Sequence, residues 1–162
     1  LDSYSVCGGE VGVQARWNNG FSARFTYAYT KEQLAKDKDG NTINNQYIPA
    51  REHAFNARMD YDHQFTKNYG LNIGLSGRYL SGVENVEYKN YYNVSEGTLT
   101  VSYPAYTIWK LSLVQRIGKA VKVNAALDNL FGYKPKYYYL NSPITDGVNL
   151  QVGLSVDIDK LF

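Results

Sequence analysis

Two carboxylates, Asp60 and Asp62, stand two residues apart in the stretch "ARMDYDHQF". On a β-strand they share one face about 7 Å apart, a separation that suits the acid and base of a glycosidase. Nothing else around them marks a catalytic centre. Arg24, Arg58, Arg78 and Arg116 fall on the same side of their own alternating segments. The carboxylates are therefore read more simply as the negative rungs of a charge ladder, and no enzymatic activity is expected.

The metal candidates fail on spacing. His53 and His63 share a strand face but lie about 33 Å apart along it, too far to hold one ion, and no cysteine stands with them. Residues 37–41, "DKDGN", echo a calcium loop. With Gly40 in the sixth position, however, the first would be Ala35 and the twelfth Gln46, and neither is fit for its role. The segment is read as a turn, and neither a metal nor a cofactor is expected. A lone Cys7 forms no internal disulfide and leaves the redox compartment open.

The tyrosines are harder to dismiss. There are 16 of them against one methionine. Tyr88, Tyr91, Tyr92, Tyr103, Tyr133, Tyr137, Tyr138 and Tyr139 gather beyond the ends of alternating segments. Of these, Tyr91, Tyr92, Tyr137, Tyr138 and Tyr139 are the candidates for ligand binding. A tyrosine offers a sugar, a haem or a siderophore a rigid ring at low entropic cost and a hydroxyl for hydrogen bonding. A belt of interfacial rings, with packing among loops, accounts for the same residues and is favoured.

The elements that carry these residues are strands, because period-two alternation runs through nearly the whole chain. Val11, Val13, Ala15 and Trp17 share one face, against Gln14 and Arg16. "NNG" at 18–20 makes a tight hairpin turn, since Asn and Gly tolerate the positive φ it needs. Phe21, Phe25, Tyr27 and Tyr29 follow on one face, with Arg24 opposite. The same alternation places Phe55, Met59, Leu75, Trp109, Leu113, Val123 and Leu154 on one face and Arg58, Asp60 and Arg78 on the other. The last strand is expected to include Leu150, Val152, Leu154, Val156 and Ile158. Seven strands result, with long loops at about 31–50 and 81–105, a third after Asp128 that ends before the run beginning at Val148, and short turns between.

That strict alternation of short and long connections is the signature of a transmembrane barrel, with turns at one end and loops at the other. The span from His53 to His63, tilted by about 40°, projects to roughly 25 Å, the height of a barrel's apolar band. Mean hydropathy is −0.43, and no run approaches the roughly 18 apolar residues of a membrane-spanning helix. A net charge of +2, with acids and bases intermixed, makes no stripe for nucleic acid.

The stretches "NAALDNLFGYKPKYYYLNSP" and "GLSVDIDKLF" resemble the C-terminal end of a TonB-dependent outer-membrane receptor, of the Bacteroidetes-like type. That family has a penultimate strand ending in "NLF" with an aromatic nearby, a final loop, and a last strand of the "GLS" type ending in Phe. One departure is Lys160, where an aromatic usually precedes the final Phe by two residues. The resemblance implies an all-β fold, an antiparallel up-and-down meander of about seven strands forming a segment of a transmembrane β-barrel. Residues 1–162 would be the C-terminal part of that barrel, about the last third of 22 strands, with the plug domain and N-terminal strands absent.

The implied function is a wall segment of a bacterial outer-membrane receptor that imports a scarce nutrient: a siderophore, haem, vitamin, glycan or peptide. Its implied partners are outer-membrane lipid, the TonB complex through the absent plug domain, and an unknown small-molecule or glycan substrate; no nucleic acid is expected. An isolated piece with two open edges and an apolar face is expected to self-associate. Two alternatives stay open. One is a small complete outer-membrane β-barrel, which needs an eighth strand within residues 1–9. The other is a soluble tyrosine-rich carbohydrate-binding β module.

Overall fold

The computed structural model describes residues 5–33, 50–90, 92–135, 145 and 147–161. The strands are β1 (Ser5–Arg16), β2 (Phe21–Gln33), β3 (His53–Thr66), β4 (Tyr69–Leu80), β5 (Val83–Tyr88), β6 (Thr98–Tyr103), β7 (Tyr106–Ile117), β8 (Val121–Asp128) and β9 (Asn149–Val156). Seven of them form one antiparallel sheet in the order β1-β2-β3-β4-β7-β8-β9, which is the expected meander. The sheet is open, with β1 and β9 at its edges. Residues 5–9 belong to β1 itself, so the described residues there supply no separate eighth strand.

β5 and β6 pair with each other inside the connection expected to be a plain loop. Their alternation is masked by mixed faces. Val83 and Val101 share a side with Asn85, while Val86 stands among Glu84, Thr100 and Ser102.

The short connections are tied tightly. In the first, the Trp17 amide donates to Phe21 O at 2.8 Å and the Gly20 amide to Trp17 O at 3.2 Å. The Asn19 side-chain oxygen accepts from the Phe21 amide at 3.1 Å. Gly20 has φ +89°, and a Cβ there would run into the backbone carbonyl of Asp62. Neighbouring turns are linked as well: Gly118 N–H donates to Asn68 O at 2.7 Å, and Asp157 N–H to Ala120 O at 2.8 Å. These bonds join the turns into one rim.

The last strand stops short of Ile158. β8 begins at Val121, whose partner is Val156, so no ladder partner remains beyond that residue. Ile158–Lys160 instead make a single 3-10 turn, with Lys160 Nζ 2.9 Å from Asp157 Oδ2.

Register assigns the two faces, because cross-strand partners share a side. Met59, Leu75 and Leu111 are consecutive partners, continued by Leu127 and Leu150. Phe25, Ala57, Gly77 and Trp109 make the adjacent row of that face. Leu113, Ala125 and Val152 make another, and Val123 pairs with Leu154. Arg24, Arg58, Ser76 and Lys110 are partners on the opposite face, as are Ser22, Asp60 and Gly74, and Asn56 with Arg78. These residues keep to their own faces, although Ile108 stands opposite Arg78 and Val114 opposite Asn72 on the polar side, and Lys31 continues the apolar side of β2 at its loop end.

Few apolar side chains are buried among the described residues: Ala23, Ala57, Tyr103 and Tyr106. Val152 and Leu154 are 70% and 69% exposed. A soluble sheet would cover such a face with a second layer; none lies over this one among the described residues.

Rings gather at both ends of the apolar face. On the loop side, Tyr27 and Tyr29 surround His53 with ring centroids 6.0 and 5.3 Å away, and Tyr27 Oη shares a 2.7 Å hydrogen bond with His53 Nδ1. On the turn side, His63 lies 6.0 Å from Tyr61 and 4.6 Å from Phe65, Phe65 lies 6.0 Å from Tyr69, and Trp17 lies 5.1 Å from Phe21. Amphipathic rings favour membrane–water interfaces, so rings at both ends of the apolar face are what the expected barrel calls for.

Candidate functional site

The polar face of the sheet carries the charge ladder. Arg58 grips Asp60 with Nε–Oδ2 at 2.8 Å and Nη2–Oδ1 at 3.1 Å. Arg116 grips Asp62 from another strand, with Nη1–Oδ2 at 3.0 Å and Nη2–Oδ1 at 2.9 Å. Asn72 Nδ2 donates to Asp62 Oδ2 at 3.1 Å, and Lys110 Nζ lies 3.2 Å from Asp128 Oδ1. Both aspartates are thus engaged by guanidinium forks, which matches their reading as rungs.

Above the ladder the polar face holds an open groove of about 720 Å³. Arg24, Arg58, Arg78 and Lys110 line its floor, and Tyr106, Asn129 and Thr145 its loop-side end. Asn129 shapes that end. It is buried and sits at φ 52°, a left-handed conformation that Asn tolerates better than most residues. Its Oδ1 accepts from the Tyr133 amide at 2.9 Å, and its Nδ2 donates to Tyr133 O at 2.8 Å and Thr145 Oγ1 at 3.0 Å. With Gly132 at φ 65° and its amide donating to Asn129 O at 2.9 Å, the chain turns sharply at the end of β8. Asn129→Ala is expected to cost about 2 kcal/mol by leaving buried partners unpaired. Hydrogen exchange at the Tyr133 amide would detect the loosening, while β8 amides stay protected.

A stack fastens the loops beside the groove. Arg51 Nη1 donates to Ser81 O at 2.7 Å and to Pro104 O at 2.8 Å. Its guanidinium carbon lies 4.8 Å from the centroid of Tyr106, and Tyr106 stacks on Tyr133 at 5.2 Å. Burial pushes the Tyr133 phenol above the usual tyrosine range, with the Arg51 charge opposing. Sequence reasoning missed Arg51, Tyr106 and Asn129. Only Asn129 left a signal, an Asn three residues before a Gly at a strand end.

The candidate tyrosines divide. Tyr92 is fully exposed at the tip of the β5–β6 hairpin. Its amide donates to Asn90 Oδ1 at 3.0 Å, while Glu96 Oε1 accepts from Asn90 Nδ2 at 3.1 Å and Asn93 Nδ2 at 3.0 Å. Tyr91, Tyr137, Tyr138 and Tyr139 lie outside the described residues. Tyr103 is 1% exposed and Tyr133 is stacked on Tyr106, so both serve packing among loops.

Comparison with known proteins agrees with this geometry. The model of the TonB dependent receptor-like β-barrel family matches residues 6–130, well over half of the chain. The structure is similar to the FrpB iron transporter from Neisseria meningitidis (F3-3 variant), with a TM-score of 0.62 and 18% identity over 94% of this chain. This chain spans 23% of that one, and at that identity the likeness concerns the fold. No curated protein matches the sequence. The matched family is one of outer-membrane transport receptors rather than enzymes. An open meander with one apolar and one polar face is a sector of such a barrel's wall, and the chain belongs to the TonB-dependent receptor β-barrel family of the bacterial outer membrane.

Proposed function

We propose that the chain is the C-terminal sector of the barrel of a TonB-dependent receptor that imports a scarce nutrient: a siderophore, haem, vitamin, glycan or peptide. The separation of faces carries this reading. Phe55 on β3 and Leu111 on β7 stand exposed on one side of the strands whose other side carries Arg58 with Asp60 and Arg116 with Asp62. Such a sheet needs lipid against one face and water against the other. A plug domain outside these residues would fill the lumen and reach the TonB complex. The iron named for FrpB is one nutrient of this class; a tyrosine surface would equally suit a sugar or a porphyrin.

At the mouth, Tyr91, Tyr92, Tyr137, Tyr138 and Tyr139 would meet the substrate. Supporting this for Tyr92 are its full exposure and the hydrogen bonds that hold the tip's backbone. In the full-length receptor, replacing Tyr91 and Tyr92, or Tyr138 and Tyr139, with alanine is expected to weaken substrate binding about ten-fold, the loss of about one ring contact. Heat-modifiable migration of the assembled barrel should not change. Loss of assembly together with affinity would return these rings to the interfacial belt, and unchanged affinity would remove them from the site. Import itself is tested by deleting the receptor gene and following growth on each limiting nutrient. Undiminished uptake of all of them would refute the transport reading.

A further inference from the structure

The β5–β6 hairpin continues the β4–β7 pair, but the ladder between them is broken. β4 and β7 pair as far as Leu80 with Tyr106, and β5 and β6 begin at Val83 with Tyr103. Ser81 and Gly82 lie between on one leg, Pro104 and Ala105 on the other. Proline has no amide hydrogen to donate across such a gap. The legs come close there, since a Cβ on Gly82 would lie 3.2 Å from Tyr103 O and 3.3 Å from the Ala105 nitrogen. A two-stranded hairpin holds little stability of its own, so the direction this one takes depends on what fastens the break.

Arg51 fastens it. Its Nη1 donates to a carbonyl on each leg, Ser81 O at 2.7 Å and Pro104 O at 2.8 Å. Two bonds from one rigid guanidinium hold the legs at a fixed separation. Ser81 is itself tied to β3: its amide donates to His53 O at 2.9 Å, and its Oγ accepts from the His53 amide at 3.0 Å. The guanidinium lies over Tyr106, Tyr106 stacks on Tyr133, and Asn129 holds both backbone groups of Tyr133. All three long connections therefore meet at one side chain. Arg51 ends the first, clamps both legs of the second, and reaches the third through the stacked rings. We propose that Arg51 is a positioning residue that locks this hinge, aims the hairpin tip with Tyr92, and couples that aim to the third connection. The proposal goes beyond the receptor reading above and rests on it only for the substrate that Tyr92 would meet.

Distances between spin labels in the full-length receptor, read by pulsed electron resonance in detergent, test the lock. Cys7→Ser supplies the background, with any cysteine outside these residues also replaced. Val94→Cys places a label at the exposed tip. Its partner label is either Lys31→Cys at the loop end of β2 or Lys134→Cys beside Tyr133, both exposed positions. Arg51→Met keeps the length and removes the donors, and is expected to widen both distance distributions about two-fold or more. Arg51→Lys should sharpen the tip-to-β2 distribution again in part, because an ammonium donates to carbonyls without the planar fork. Tyr106→Leu should widen the tip-to-Lys134 distribution alone, since the hinge carbonyls keep their donor. Heat-modifiable migration should stay unchanged in all three. Distributions as narrow in Arg51→Met as in the parent would overturn the lock, and a Tyr106→Leu receptor with both distributions unchanged would overturn the coupling. Should Arg51→Met fail to assemble, the lysine and Tyr106→Leu variants decide: parent widths in both would overturn the proposal. Nutrient uptake is scored separately. A receptor that imports its nutrient yet shows no widening keeps the transport reading and loses this one.

Discussion

Receptor carrying Gly20→Val is expected to lose about 3–5 kcal/mol of folded stability. Two costs act together. Gly20 holds φ +89°, which a β-branched residue adopts only under strain, and the added Cβ collides with the Asp62 carbonyl on the neighbouring strand. Relief would break the 2.9 Å bond from the Asp62 amide to Gly20 O, and with it the join between the first hairpin and β3. Gly97→Ala separates the two costs. Gly97 has φ +88°, but a Cβ added there would meet nothing within 4 Å, so it should cost only the backbone strain, about 1–3 kcal/mol. Urea titration of the folded, heat-modifiable band in detergent micelles measures both. Equal stabilities for the two variants would show that the contact with Asp62 contributes nothing.

Leu111→Arg is the second large effect, and its sign separates environments. Leu111 belongs to the middle row of the apolar face, between Leu75 and Leu127, midway between the two ring belts. Arginine at the bilayer midplane of a barrel costs about 2–4 kcal/mol. The same substitution at Phe65, within the turn-side belt, should cost about 0–1 kcal/mol. Depth dependence of that kind requires lipid. On a sheet whose exposed face met water, Leu111→Arg would be neutral or would improve solubility. Folding into vesicles, followed by tryptophan fluorescence across a urea series, gives the comparison directly. A cost at Leu111 no larger than at Phe65 would reject the lipid-facing assignment.

The seven main strands were legible because lipid and water impose opposite demands on alternate residues. Phe25 against Arg24 and Leu75 against Arg78 are contrasts that period-two reading detects without knowing the partners. The β5–β6 hairpin was not legible because it projects past the sheet and lacks that contrast, so Asn85 and Val101 share a face. Ile158 departs from expectation for a different reason. Its apolar alternation continues, but strand length is set by the partner, and β8 begins at Val121. At the groove, the basic residues were visible as a set. Which of them would hold which carboxylate was not, since the choice of Asp60 by Arg58 and of Asp62 by Arg116 is made in three dimensions. Arg51 gave no signal at all, because its value lies in two carbonyls brought from residues 81 and 104.

The one register shift between β3 and β4 falls between Gln64 and Thr66, immediately before the turn to Tyr69. An extra residue in mid-strand would send every later side chain to the wrong medium, arginines into lipid and leucines into the lumen. At the rim the same extra residue displaces nothing, because the chain is about to reverse and the next strand begins its count afresh. Each hairpin therefore behaves like a line of type set between fixed margins. Lengths can be adjusted where the line breaks, and the letters within it keep their columns.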